Sequence, residues 1–283
     1  MTAGQDSSPA VAVDRICKTF KSGPETVTAL SEVSFKVSFG ELFCVVGPSG
    51  CGKSTLLKLL ARLLSPTAGR IELNPRLIAG GIAYVPQEAS LLPWRNSLQN
   101  ACLGLELKGE LNRARVRSVL DSIEEYGLKG FERSLPGELS GGMRQRISVI
   151  RALESSPQLM LCDEPFSAID FVTRLDLNTR FKRMCRVNAI TTIFVTHNIE
   201  EAIFLADEIV VMSGRPGRIV ASYRPRLSIA PENAVKSRKS PEFSDLFVRI
   251  WNDLKGVHEE PSGCNEGGTN SWIPRRDEPQ HDS

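Results

Sequence analysis

Apolar runs of membrane-spanning length are missing from this sequence. No stretch approaches the ~18 residues a spanning helix needs, so an integral helical membrane protein is not expected. A surplus of one charge is missing too. Lys plus Arg total 35 and Asp plus Glu total 33, a net charge of +2, which argues against a dedicated nucleic-acid partner. Histidine is scarce: of three, His258 and His281 lie in a polar tail, leaving His197 alone in the expected folded body. The seven cysteines (Cys17, Cys44, Cys51, Cys102, Cys162, Cys185 and Cys264) include no C-x-x-C pair and accompany no His-rich cluster. Neither a disulfide framework nor a zinc site is suggested, and a reduced, intracellular protein is expected. The opening residues are polar, so no secretory signal is expected, and no internal repeat is visible.

The remainder reads as a globular chain. Its 283 residues are 41% hydrophobic and 24% charged, enough for a packed core in one large domain or two small ones. From Val11 to about Leu254, short apolar strand-like runs alternate with helical patterns, which predicts an α/β fold with a largely parallel sheet. Candidate buried strands are Glu41–Val46, Gln158–Cys162, Ile190–Val195 and Ile209–Met212. Between about residues 96 and 153 the texture turns helical, an insert within the α/β core. There Val116, Val119, Leu120 and Ile123 keep helical spacing, and Gly127 is placed to end that helix. Ser240 and Pro241 open a last helix whose stripe runs through Phe243, Leu246, Phe247, Ile250, Trp251 and Leu254. Residues 1–10 and 256–283 are expected to be disordered.

Chemistry concentrates at three places. Gly47-Pro48-Ser49-Gly50-Cys51-Gly52-Lys53-Ser54-Thr55 fits the phosphate-loop pattern and stands between a strand and a helix. Its glycines let consecutive N–H groups turn inward, and the helix N-terminus adds positive dipole, so the loop can cradle phosphate oxygens. Lys53 would neutralise β- and γ-phosphate charge, and the Ser54 hydroxyl would ligate Mg²⁺. Cys51 is either a thiol of lowered pKa near a helix N-terminus or the occupant of an unconstrained position. Second, the strand Leu159–Cys162 ends in Asp163 and Glu164. Asp163 can hold Mg²⁺, and Glu164 can accept a proton from an attacking water. Third, Leu139-Ser140-Gly141-Gly142 precedes that acidic strand. Ser140 and the glycine amides suit both a helix cap and an anion site.

In this order, the three elements strongly resemble the ATP-binding cassette (ABC) family, the motor subunits of ABC transporters. The resemblance spans about residues 11–225. It implies a P-loop NTPase (RecA-like) core with a mixed, largely parallel sheet, an N-terminal antiparallel β subdomain and the inserted helical subdomain. It also implies ATP and Mg²⁺ as ligands, and a homodimer or cassette heterodimer that sandwiches two ATP molecules. In that dimer the Ser140–Gly142 signature closes over nucleotide held by the second copy. Gln87 matches the glutamine loop that senses Mg²⁺ and water, and His197 matches the switch histidine that contacts the γ-phosphate. Asp170 matches the loop that crosses the dimer interface, and it suits a helix cap equally. Phe20 falls where the family places an aromatic residue on adenine, although an ordinary core Phe fits the spacing too. Ser167, Ile169 and Cys162 depart from the commonest family residues without removing a phosphate, metal or proton-transfer group.

Leu91-Leu-Pro-Trp94-Arg95, Leu103–Gly109 and Arg215–Ile219 look like the importer ATPases for nitrate, sulfonate, taurine and related small anions. The resemblance thus implies a separate integral-membrane permease, indirectly a solute-binding protein, and a place on the cytoplasmic face of the membrane. An exporter subunit and a soluble non-transport ABC ATPase are the alternatives. Trp94 suits either a groove for the permease or a local core.

Overall fold

A computed structural model describes residues 8–22, 25–228 and 234–259. Strands β1 (Val11–Ser22) and β2 (Glu25–Val37) pair antiparallel from Val11↔Val37 to Ser22↔Glu25. Along the end of β2, Val33, Phe35 and Val37 are buried while Glu32 and Lys36 face water, the two-residue period of a strand covered on one face. The chain then enters β3 (Leu42–Val46) and α1 (Lys53–Leu60) before β4 (Ala68–Leu73) returns to the free edge of β1.

After α2 (Pro75–Gly80) and β5 (Ile82–Val85) comes the helical region: α3 (Ser97–Ala101), α4 (Leu103–Leu107), α5 (Arg113–Glu125) and α6 (Gly141–Glu154). In α5 the buried side is narrower than the spacing suggests. Val119 and Ile123 face the core, whereas Leu120 is 37% exposed because it sits a third of a turn off that line. Gly127, at φ +71°, follows the helix end as expected.

The rest of the chain builds β6 (Leu159–Asp163), α7 (Phe171–Val187), β7 (Thr191–Thr196), α8 (Ile199–Leu205), β8 (Glu208–Met212), β9 (Ile219–Tyr223), α9 (Ala234–Ser237) and α10 (Pro241–Glu259). The second sheet has the order β5-β6-β7-β3-β8-β9, parallel throughout except for the last pair. Strands β3, β6 and β7 are buried along their whole lengths, as strands covered on both faces must be. One face packs on α1 and the antiparallel sheet, joined by the stacked rings of Phe35 and Phe43, 4.9 Å apart. The other packs on the helical region and α7–α8, centred on Phe166, Phe181 and Phe194.

Both ends of the folded body extend slightly past their expected bounds. Ala10 is buried and bonds Val37, and α10 continues to Glu259 rather than ending at 255. Residues 1–7 and 260–283 lie outside the described residues. The consequence for chemistry is topological. Register pairs Val46 with Thr196 and Asp163 with Val195, so the carboxyl ends of β3, β6 and β7 share one edge. Open α/β sheets place their ligand crevices at such an edge.

Candidate functional site

The loop after β3 wraps back on itself before α1 starts. Gly52 takes φ +105°, and a Cβ there would lie 2.7 Å from Leu30 Cδ2 and 2.8 Å from the Ala29 carbonyl. Only glycine combines that backbone with that closeness. Lys53 is almost fully buried, and its Nζ donates to the carbonyls of Gly47 and Pro48, each at 2.8 Å. Ser49 and Gly50 are exposed at the rim, and Ser54 and Thr55 open α1 half-buried. Cys51 points inward, sealed beneath the loop. Its burial pushes the thiol above its ordinary pKa, overriding the neighbouring Lys53 charge. The buried thiol does not fit the reactive-thiol alternative for Cys51, since burial outweighs both the Lys53 charge and the backbone N–H bonds that favour the thiolate.

The loop is wired to the acidic strand end. Ser54 Oγ donates to Asp163 Oδ1 at 3.0 Å, and Tyr84 Oη donates to Asp163 Oδ2 at 3.4 Å. Asp163 is buried, and desolvation raises its pKa even though both hydroxyls favour the charged form. Burial likewise lifts Tyr84 to about 12, with the Asp163 charge adding to it. Glu164 follows in the left-handed region at φ +48°. Three bonds hold it there: its N–H donates to Val195, and its carbonyl accepts from both Ser167 N and Ser167 Oγ. Such a conformation persists only where its surroundings over-determine it. Its carboxylate lies between two nitrogens, with Oε1 4.0 Å from Lys53 Nζ and Oε2 2.9 Å from His197 Nδ1.

Ser54 and Asp163 also answer whether the site suits a divalent cation. Both donors are hard oxygens, and ligands at ~2.1 Å around an octahedral Mg²⁺ lie about 3 Å apart along each edge. The 3.0 Å spacing of Ser54 Oγ and Asp163 Oδ1 fits that edge. Gln87 is exposed beyond β5, and among the described residues no hydrogen bond joins it to Ser54 or Asp163. The carbonyl before it, on Pro86, accepts from the buried Gln145 of α6 at 3.0 Å.

Two predicted groups stand elsewhere. Ser140 caps α6, its Oγ accepting from Met143 N at 3.2 Å, with Ser140 and Gly141 both exposed. Gly142 packs beside the next loop, where a Cβ would come 3.2 Å from the Ala168 carbonyl. Asp170 ends that loop and caps α7 through Thr173 N at 3.0 Å. Backbone N–H bonds lower its pKa. Ser140–Gly142 and Asp170 thus lie on two neighbouring segments, the start of α6 and the loop before α7, that meet at Gly142 and Ala168. Among the described residues no hydrogen bond or ion pair ties them to the phosphate loop. Phe20 is not a core residue: it is 37% exposed, with the Lys18 amine 5.1 Å from its ring centroid. Trp94 is 73% exposed and lines a surface groove of about 630 Å³ with Leu98, Cys102 and Val116, so it is no core tryptophan either.

Residues 30–167 match the model of the ABC transporter family. The aliphatic sulfonates import ATP-binding protein SsuB of Bacillus licheniformis is 42% identical over 241 residues, 84% of this chain and 91% of SsuB. The chain belongs to the ABC transporter ATP-binding proteins. A second member, the taurine import ATP-binding protein TauB of Burkholderia pseudomallei, is 36% identical over 265 residues, 88% of this chain and 98% of TauB. Among solved structures, a dimeric ATP-binding cassette in a post-hydrolysis state bound to ADP and Pi aligns at a TM-score of 0.67. It is 28% identical over 76% of this chain and 99% of that one. Family and fold together make this ABC protein an ATPase, the ATP-hydrolysing motor of a transporter, built on the expected P-loop core.

Sequence reasoning missed the support around the site. Tyr84 reaches Asp163 from 79 positions away, and Gln145 reaches Pro86 from 59. Arg215 reaches the Gly50 carbonyl at 3.4 Å from 165 positions away. The only signal was indirect: Tyr84 and Gln145 each stand within a few residues of a recognised motif.

Proposed function

We propose that this chain is the motor of an importer for small anions such as sulfonates, taurine or nitrate, acting head to tail with a second cassette. One observation carries the pairing. The phosphate loop, Asp163, Glu164 and His197 are joined into one cluster, while Ser140 and Gly141 lie exposed at the start of α6 and, among the described residues, no hydrogen bond or ion pair ties Ser140–Gly142 or Asp170 to that cluster. An exposed helix start is a phosphate receptor in search of a phosphate. A second copy, turned end for end, supplies one.

In this reading the amides of Gly47–Thr55 and the Lys53 ammonium hold the β- and γ-phosphates, and Phe20 stacks on the adenine. Ser54 and Asp163 would hold Mg²⁺, with Gln87 as the further ligand that the family resemblance implies, and the ion would neutralise phosphate charge when bound. Glu164 takes the proton of the attacking water, and its fixed backbone aims the carboxylate before the reaction begins. His197 holds that carboxylate from one side and contacts the γ-phosphoryl, while the partner's signature stabilises the charge spread over it. Closure of the two cassettes drives the permease, whose cytoplasmic helix seats in the Trp94 groove, and a solute-binding protein delivers the anion. The sulfonate and taurine importers among the relatives support the solute class.

Substituting the base and the lysine separates these roles. Glu164→Gln is expected to bind ATP but turn over at least 100-fold more slowly, measured by phosphate release. Wild-type turnover in that variant would remove Glu164 from the mechanism. Lys53→Ala is expected to weaken ATP binding in a fluorescent-nucleotide titration, and unchanged affinity would refute its role. Co-purification with a permease from the producing cells, or its absence, decides the transport reading.

A further inference from the structure

Deepening the reading of His197 as the γ-phosphoryl contact, we propose that Glu201 is its positioning residue, locking the histidine loop by bonding the residues on both sides of it. Thr196 Oγ1 donates to Glu201 Oε2 at 2.6 Å, and the Asn198 N–H donates to the same Thr196 oxygen at 3.0 Å. Asn198 Oδ1 in turn accepts from the Glu201 N–H at 3.2 Å. The three bonds close a ring from which His197 alone projects. Thr196 and Glu201 are buried at the base of this ring, whereas the His197 side chain is 54% exposed. The imidazole's one bond among the described residues is to Glu164. An exposed ring at a strand end would otherwise sample several placements; the ring of bonds beneath removes that freedom before Glu164 is engaged.

The second observation concerns the other carboxyl oxygen. Glu201 Oε1 and Asn178 Oδ1 are both buried acceptors without a hydrogen-bond partner. Both residues line a water-sized cavity of about 10 Å³ between α7 and α8. Arg238 also lines the cavity; it pairs with Glu200 and stacks on Phe171 at 4.8 Å. A carboxyl kept in a buried place with one oxygen unsatisfied is a poor packing choice, since an apolar side chain would fill the space better. Its use is the ring of bonds it completes. The Asn178 side chain lines the same space and, by hydrogen bonding, favours the ionised form of the Glu201 carboxyl against its burial. An amide at position 201 would serve as well: its oxygen can accept from Thr196, and its NH₂ can enter the cavity.

Steady-state ATPase measurements on the full chain, with thermal melts to confirm folding, test this. Glu201→Ala and Thr196→Val are expected to lower kcat roughly 10- to 100-fold while the KM for ATP stays within about 3-fold. Thr196→Val removes only the hydroxyl and carries the test if Glu201→Ala fails to fold. Glu201→Gln is expected to recover kcat to within about 3-fold of wild type. Adding Glu201→Ala to His197→Ala should cause no further loss, because one acts through the other. If His197→Ala is slow while Thr196→Val and Glu201→Ala keep wild-type kcat, the positioning role is refuted and the His197 reading stands. If His197→Ala itself keeps wild-type kcat, the underlying reading fails. Additive losses in the double variant, or a rise in KM with kcat unchanged, would also overturn the proposal.

Discussion

Two glycines of the phosphate loop make the same demand on the backbone and differ in what surrounds them. Gly50 takes φ +77°, and a Cβ there would meet only Arg215 Nη2 at 3.8 Å. Gly52 takes φ +105°, and a Cβ there would press on Leu30 Cδ2 at 2.7 Å and the Ala29 carbonyl at 2.8 Å. Leu30 is fully buried and the carbonyl belongs to β2, so neither can yield cheaply. Gly50→Ala therefore costs the left-handed backbone alone, about 1–2 kcal/mol. Gly52→Ala adds overpacking of about 1–3 kcal/mol. For a domain of this size each kcal/mol moves Tm by about 2–4 °C, so Gly52→Ala should melt roughly 2–12 °C below Gly50→Ala. Calorimetry without nucleotide is the assay, because bound ATP would add its own stabilisation by mass action. Equal melting temperatures, or a lower one for Gly50→Ala, would refute the claim that β2 braces the loop from behind.

The charge balance of the site makes further predictions. Burial raises the Asp163 pKa, so folding favours its protonated form, and the ionised group costs stability as pH rises through the carboxylate range. Asp163→Asn removes that titration while leaving an oxygen for Ser54. Its Tm without nucleotide should exceed wild type at pH 7, the gap closing as pH falls through the carboxylate range, while ATP hydrolysis is lost. A gap that widens on acidification would reverse the assignment. Cys51, sealed and shifted upward, should resist a thiol reagent in the folded chain and react after denaturation. Mass spectrometry of the digested protein reads this, and rapid labelling of native Cys51 would contradict the inward packing.

The motifs were legible because each is local. A strand, a glycine turn and a helix start lie within Leu42–Leu60, and the strand that positions Asp163 and Glu164 announces itself by an uninterrupted apolar run. The same locality made Ser140 and Asp170 readable as caps, a role the geometry bears out for both. What the sequence could not show depends on which strands become neighbours. Tyr84 meets Asp163 only because β5 pairs with β6, and Val46 meets Thr196 only because β7 pairs with β3. Periodicity describes faces, not neighbours, so these supports stayed hidden. Cys51 was open for a different reason: whether dipole or desolvation governs a thiol depends on burial, which a loop sequence does not disclose. Phe20 and Trp94 were open for that reason as well, and both proved to be surface residues.

The central claim is that one chain holds the phosphates and a second chain's signature completes the site. Size-exclusion chromatography of Glu164→Gln with and without ATP and Mg²⁺ tests it most directly, since slowed hydrolysis lets a closed pair accumulate. The account predicts an ATP-dependent shift from monomer to dimer that is abolished by a further Ser140→Arg substitution. A variant that binds ATP yet elutes as a monomer under every condition would contradict it.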